Sequence, residues 1–149
     1  MKMFTLGFLI LNVSAMANTQ ALVTKSNASG FTPPEWVRSE TCEVFADRVE
    51  ITKQMGMGEK GVRLNETRKV KLTGNLEQLV AQVAKEELTE KENGLCDGPS
   101  TTISARENLI FTTGGCGSPR KERQGASSRI LREIVDSYCA TTHDFGARD

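Results

Sequence analysis

Hydrophobic and polar residues alternate in the first half of this chain in the way that β-strands require. Residues 42–53 are rich in β-branched and aromatic side chains, and their alternation breaks at Asp47, which predicts a strand with a bulge or a bend. Alternation resumes over residues 62–64 and 70–72. These stretches predict a second strand, or a broken one, after a connecting loop.

Two longer stretches have apolar residues at helical spacing. The first predicted helix begins at Asn75, a good N-cap, has Gln78 at the capping-box position, and ends before Gly94. Its apolar stripe consists of Leu76, Leu79, Val80, Val83, Ala84 and Leu88. A second helix is predicted to begin at Gly125. Its apolar stripe consists of Ala126, Ile130, Leu131, Ile134, Val135 and Tyr138.

A β-hairpin is predicted between the two helices, and its position suggests how the cysteines pair. Residues 100–105 and 109–113 predict two strands joined by a turn near Arg106. Cys96 and Cys116 lie ten residues on either side of position 106. Residues equally distant from a hairpin turn lie opposite each other, which predicts a Cys96–Cys116 disulfide.

The remaining cysteines predict a second disulfide. Cys42 begins the first predicted strand and Cys139 ends the last predicted helix. When a short chain is exported, four cysteines are typical of two disulfides, and four cysteines allow three connectivities. We therefore predict the pairs Cys42–Cys139 and Cys96–Cys116.

Together these patterns predict an α+β fold with the element order ββαββα. The sheet is expected to be small and antiparallel, with about four strands, with two amphipathic helices packed on one face and two disulfides. We predict one domain over residues 34–140, preceded by a flexible leader over residues 18–33 and followed by a frayed tail over residues 141–149.

The N-terminus predicts export. Lys2 precedes a short apolar run, and Ala15 and Ala17 are small residues at the positions that a signal peptidase reads. We therefore predict a cleaved signal peptide over residues 1–17 and a periplasmic or secreted location. The apolar run is shorter than the roughly 20 residues that span a bilayer, and no later stretch is apolar enough, so no membrane span is expected.

Charge and aromatic content exclude some classes of partner. The chain has 19 basic and 19 acidic residues, which gives no electrostatic reason to expect nucleic acid or an anionic membrane as a partner. One Trp and one Tyr are too few to suggest a platform for stacking bases. Trp36 is expected to anchor the edge of the core, because large aromatic side chains usually pack.

Candidate chemistry is sparse. The spacing G-x-G-x-x-G occurs over residues 56–61, but a strand is predicted to follow it, whereas the dinucleotide motif requires a helix. Cys116 and His143 could form a nucleophile and a base only if the thiol were free, and the even cysteine count favours disulfides. No catalytic residue, metal site or cofactor is therefore assigned.

One segment is a candidate contact surface. Residues 114–125 predict a glycine-bounded, basic loop next to Cys116, and such a loop resembles what inhibitors of trypsin-like proteases present. An ordinary connecting loop is the alternative. The candidate partner-binding residues are Gly117, Ser118, Pro119, Arg120, Lys121 and Arg123.

We therefore predict a small exported binding module without catalytic activity, held by disulfides, whose partner is a protein such as a secreted hydrolase that it inhibits. Two alternatives stay open from the sequence. One is a small extracytoplasmic enzyme with a carboxylate-based site, and the other is a structural protein of the cell envelope.

Overall fold

A computed structural model of the protein describes residues 20–56, 61–72, 74–92, 98–113 and 118–140. These residues form an eight-stranded antiparallel sheet with two α-helices. The strands are β1 (Val23–Ala28), β2 (Arg38–Val44), β3 (Arg48–Met55), β4 (Val62–Lys69), β5 (Leu88–Lys91), β6 (Ser100–Ala105), β7 (Asn108–Thr112) and β8 (Arg120–Arg123). The helices are α1 (Leu76–Val83), α2 (Ala126–Tyr138) and a short 3-10 helix (Pro34–Trp36).

The sheet has the strand order β4-β3-β2-β1-β6-β7-β8-β5. Strands β1 to β4 follow one another as an antiparallel meander, and β6 to β8 form a second one with β5 at its edge. The two halves join where β1 pairs with β6, so that Val23 lies opposite Ala105. The first strand of the chain therefore lies near the centre of the sheet.

The predicted four-stranded sheet is wrong, because the described residues are mostly sheet and form eight strands, with the element order ββββαββββα. Residues 23–28, expected within a flexible leader, form β1. The predicted strand over residues 42–53 is two antiparallel strands, because the break at Asp47 is a tight turn. The Phe45 amide donates a hydrogen bond to the Arg48 carbonyl across that turn at 2.8 Å.

The first helix is shorter than the sequence predicts, and this difference adds another strand. Its predicted N-cap is confirmed, since the Asn75 side chain accepts a hydrogen bond from the Gln78 amide at 3.3 Å. The helix ends at Val83, and the Glu86 amide then bonds the Val83 carbonyl at 3.1 Å in a tighter turn. Leu88, expected in the apolar stripe, instead begins β5, whose backbone is paired with β8.

The described chain contains one disulfide, not the predicted two. It joins Cys42 on β2 to Cys139 at the end of α2, with the Cα atoms 5.9 Å apart. This is one of the two pairs predicted from the sequence. The other predicted pair, Cys96 and Cys116, lies outside the described residues.

Two other predicted elements are confirmed. Strands β6 and β7 form the expected hairpin, and Arg106 in its turn has a positive φ of 50°. Helix α2 spans nearly the predicted residues. Helix α2 was predictable because most of its apolar residues follow the helix period, and the hairpin because a turn separates two stretches rich in β-branched and apolar side chains.

Both helices and five strands contribute to a single core. The buried apolar residues of this core are Leu22, Val23, Cys42, Val44, Val49, Ile51, Leu76, Val80, Val83, Ile103, Ala105, Ile110, Phe111, Leu131, Val135 and Cys139. An ion pair of 2.5 Å between Lys25 on β1 and Asp136 on α2 also joins the sheet to the helices. Within the described ranges, neither helix has the length and apolar character that a membrane crossing requires.

Candidate binding surfaces

The segment over residues 114–125, predicted to be an open loop, contains a strand in its described part. Residues Arg120–Arg123 form β8, which lies between β7 and β5 in the sheet. Ser118 and Pro119 precede this strand, and Ser118 is exposed while Pro119 is half-buried. Gly117 lies outside the described residues. The predicted basic apex is therefore part of the sheet.

The basic side chains of β8 have structural partners. The Nε atom of Arg123 donates a hydrogen bond to the Leu109 carbonyl at 2.6 Å, and its Nη1 atom donates to the Glu86 carbonyl. The Nζ atom of Lys121 lies 2.6 Å from a carboxylate oxygen of Glu90 on the neighbouring strand. These contacts fasten β8 to β5, to β7 and to the end of α1.

Arg120 belongs to a second cluster on the same strand. Its guanidinium donates to the Glu122 carboxylate at 3.0 Å and lies 5.1 Å from the centre of the Phe111 ring. Arg132 on α2 bonds the same carboxylate, and its guanidinium lies 4.5 Å from the same ring. Two cations thus share one carboxylate and one aromatic ring, which favours a role in holding α2 against the sheet.

Among the described residues, the two large exposed aromatic side chains lie in the connection between β1 and β2. Phe31 is 94% exposed and Trp36 is 55% exposed, although Trp36 was predicted to anchor the edge of the core. Pro33 and Pro34 lie between these two residues. We call residues 29–37 the aromatic loop. It presents two large apolar side chains to solvent on a backbone that the prolines restrict.

Hydrogen bonds fix both ends of the aromatic loop. The Ser29 amide donates to the Arg38 carbonyl at 2.8 Å, and the Arg38 amide donates to the Ser29 hydroxyl at 2.9 Å. The Trp36 amide donates to the Pro33 carbonyl at 2.8 Å, which closes the 3-10 helix. The loop therefore has a defined shape. Two aromatic residues flanking a Pro-Pro pair is the sequence signal that could have identified it.

The face of the sheet opposite the helices is polar. The strand register aligns six hydroxyl or amide side chains in one row across six strands: Asn65, Thr52, Thr41, Ser26, Thr102 and Thr112. Two pairs in this row are linked, since Thr52 donates to Asn65 at 3.1 Å and the Thr102 and Thr112 hydroxyls are 3.1 Å apart. A face with this polar composition is suited to contact with water and not to contact with an apolar surface.

A second apolar surface lies along β4, at the edge of the sheet. Val62 is 49% exposed and Leu64 is 48% exposed. A cleft of about 400 Å³ lies beside them, and Ile51, Lys53, Leu64, Asn65 and Glu66 line it. Val62 and Leu64 share the face of the sheet that the helices cover elsewhere, so the cleft continues that face beyond the helices.

Charged residues border this cleft. Lys53 is buried, and its Nζ atom lies 3.3 Å from a carboxylate oxygen of Glu40. Glu66 accepts a hydrogen bond from Arg68, and this bond raises the pKa of the Arg68 guanidinium above its usual value. Arg68 therefore keeps its positive charge at any pH at which the protein is folded. The Arg68 Nη1 atom also donates to the Ala140 carbonyl at 3.1 Å, which connects β4 to the end of α2.

No metal centre is evident in the part of the chain that the structure describes, where no three His, Cys, Asp or Glu side chains come together as ligands. Comparison with protein families, with characterised proteins and with solved structures finds no match for this chain, so its surfaces are interpreted from their chemistry alone.

Proposed function

We propose that this protein is an exported binding module that recognises a protein partner through the aromatic loop. One observation carries the proposal: Phe31 is 94% exposed on a loop whose ends are hydrogen-bonded. A Phe side chain left in water forgoes roughly 1.5–3 kcal/mol of burial energy. A binding partner would recover that energy by covering the ring.

The composition and shape of the aromatic loop support a protein contact. Trp is among the residues that most often dominate the binding energy of protein interfaces. Pro33 and Pro34 restrict the loop before it binds, which reduces the entropy lost on association. The loop also lies at the end of the β1–β2 hairpin, where it can enter a concave surface on a partner.

Export is the part of the proposal that comes from the sequence. Residues 1–17 have the pattern of a cleaved secretory signal. The disulfide between Cys42 and Cys139 is compatible with an oxidising compartment. We therefore place the partner in the periplasm or outside the cell.

Inhibition of a secreted hydrolase is a narrower form of this proposal, and it relied on the basic segment before α2. The described part of that segment contains β8, and Arg123 and Lys121 in this strand are bonded to neighbouring strands. The aromatic loop is therefore the better-supported contact surface.

The test compares capture of partner proteins by three forms of the mature, oxidised protein. The forms are the wild type, the double variant Phe31→Ala/Trp36→Ala, and the control Ile130→Ala, which removes a 41%-exposed apolar side chain from α2. Each is immobilised and exposed to the native exported fraction. We expect the wild type and the control to retain the same partner in similar amounts.

The double variant should bind that partner at least about thirtyfold more weakly, because truncating one interface hot spot costs about 2 kcal/mol or more. The partner is then purified, and its dissociation constants for the three forms are measured. Equal affinity of all three forms would refute the proposal, as would capture of no stoichiometric partner by the wild type. The double variant should still unfold cooperatively, since Phe31 is 94% exposed and Trp36 is outside the core.

A further inference from the structure

Strand β4 leaves one edge of the sheet open in the part of the chain that the structure describes. It pairs with β3 over its entire length, from Val62 opposite Met55 to Lys69 opposite Arg48, without a bulge. On its other side no described strand follows it. An edge strand presents unpaired N–H and C=O groups, and a long, regular edge is a template for a further strand. The opposite edge, β5, has four residues, whereas β4 has eight.

The two faces of β4 differ in chemistry. Val62 and Leu64 lie on the face that carries the cleft, and each is about half exposed. Arg63 and Lys69 lie on the opposite face, with Asn65 and Thr67 between them. That outer face of the strand therefore has two cations and no acidic residue.

A second copy of β4 would offer these two cations no acidic partner on the outer face. When two identical edge strands pair around a two-fold axis, the outer face of one strand continues into the outer face of the other. Arg63 would then meet only Arg63, Asn65, Thr67 or Lys69 of the copy, whatever the register. The carboxylate of Glu66 lies on the other face of the strand, so no register places an acidic side chain opposite Arg63 or Lys69, and registers that bring these cations together are destabilised.

From these observations we infer that β4 is a docking edge for an extended, acidic segment of a partner protein, which adds antiparallel as a further strand. Main-chain hydrogen bonds provide affinity in this mode of recognition, and alternate side chains provide specificity. Acidic side chains lie opposite Arg63 and Lys69. Apolar side chains lie opposite Val62 and Leu64 and fill the cleft. The aromatic loop is not involved, so this inference is independent of the function proposed above.

The register fixes the sequence pattern of the segment. If the residue opposite Lys69 is numbered i, the residue opposite Leu64 is i+5, the one opposite Arg63 is i+6 and the one opposite Val62 is i+7. The segment should therefore read acidic, four variable residues, apolar, acidic, apolar. The two acidic residues are separated by an even number of positions and so share one face of the added strand.

A pair of synthetic peptides tests this pattern on the mature, oxidised protein. The acidic peptide is acetyl-TETTTTVEVT-amide, and the matched basic peptide replaces both Glu by Lys. Fluorescence anisotropy with labelled peptides should show that the wild type binds the acidic peptide at least tenfold more tightly than the basic one. Amide hydrogen exchange should slow within residues 62–69 when the acidic peptide is bound.

A charge-reversed variant, Arg63→Glu/Lys69→Glu, is the matched control. It should bind the basic peptide more tightly than the acidic one, because both substituted side chains face solvent and the backbone edge is unchanged. The inference would be overturned if the wild type bound neither peptide, or if it bound the acidic and the basic peptide with equal affinity. If the acidic peptide binds only after residues 141–149 are removed, the inference is also wrong, and the occupant is this chain's own C-terminal segment.

Discussion

Glu86 lies just after α1 in the sequence, and its side chain caps the N-terminus of α2. Its carboxylate accepts hydrogen bonds from the Ser127 amide at 2.8 Å and from the Ser128 amide at 3.1 Å, which are donors in the first turn of α2. A carboxylate at a helix N-terminus satisfies free N–H groups and interacts favourably with the helix dipole. Gly125 precedes that turn and has no side chain, so a residue distant in the sequence performs the capping. Periodicity alone could not reveal this contact.

The absence of a side chain at Gly125 leaves room for the Glu86 carboxylate. A Cβ atom added at Gly125 would lie 1.8 Å from the Glu86 carboxyl carbon, although the backbone there has a φ of −119° that any residue can adopt. The Glu86 carboxylate is the end of a flexible side chain and can move away from the added Cβ, but it then loses its capping bonds, so Gly125→Ala should lower the free energy of unfolding by about 1 kcal/mol. Glu86→Ala alone should lower it by about 1 kcal/mol, the usual effect of losing a cap.

The double variant Gly125→Ala/Glu86→Ala should be about as stable as Glu86→Ala alone, because the clash needs both side chains. Urea unfolding of the four proteins measures this coupling. Additive losses would show that the clash is not the cause. Glu87→Ala is the control: this exposed neighbour should change stability by less than about 0.5 kcal/mol.

Elements that bury apolar residues were easier to predict from the sequence than elements that do not. The β6–β7 hairpin and α2 both contain buried apolar residues, and both were predicted. Strand β8 has the sequence Arg-Lys-Glu-Arg, in which hydrophobic alternation is absent. Ion pairs and hydrogen bonds to neighbouring elements take the place of apolar packing there. Such partners come from distant parts of the chain, so the sequence gives no local signal for this strand.

Strand β1 was missed for a related reason. Its outward side chains are small and polar, and on its inward face Lys25 follows the buried Val23 and pairs with Asp136. A polar stretch near a chain terminus usually indicates a flexible segment. In this protein the backbone hydrogen bonds of two neighbouring strands, β2 and β6, hold it.

Among the basic residues of β8, Arg123 should contribute most to the stability of the fold. Arg123→Met removes the donors to the Leu109 and Glu86 carbonyls and leaves two partly buried acceptors without them. We expect a loss of about 2 kcal/mol in the free energy of unfolding. Arg120→Met is the matched control. The Arg120 side chain is 47% exposed, so its removal should cost less than about 1 kcal/mol. Chemical denaturation checks both, and equal losses would contradict this ranking.

The candidate surfaces were harder to predict than the elements. Phe31 and Trp36 are apolar, and the sequence favours packing for such residues. Their exposure follows from the length and shape of the β1–β2 connection, which carries them beyond the core. The edge position of β4 depends on the order of strands in space, which no local pattern encodes.

At the scale of the whole molecule, the Cys42–Cys139 disulfide cross-links β2 to the end of α2. It closes a loop with a sequence separation of 97 residues. In the chain-entropy model a loop of about 100 residues contributes about 4.7 kcal/mol, and measured losses on removing native disulfides are about 2–5 kcal/mol. The contribution of this disulfide is therefore large compared with the free energy of unfolding of a typical domain, which is roughly 5–15 kcal/mol.

The variant Cys42→Ala/Cys139→Ala should accordingly unfold at a lower urea concentration, with a loss of about 2–5 kcal/mol. Urea unfolding without reductant provides the measurement, and an unchanged midpoint would contradict the prediction. A non-reducing peptide map of the wild type should show a peptide linking Cys42 to Cys139. The same map tests the predicted Cys96–Cys116 pair, and a peptide linking Cys42 to Cys96 would refute both pairings.

The pairing of β1 with β6 has a consequence for the newly made chain. Translation produces β1 first, but its partner β6 comes after β2, β3, β4, α1 and β5. Until then one edge of β1 is open, and the two halves of the sheet cannot join. Pairing between strands so distant in sequence is slow, because the intervening loop must close first. The ribosome-bound chain should therefore stay short of its final fold until β6 has been made.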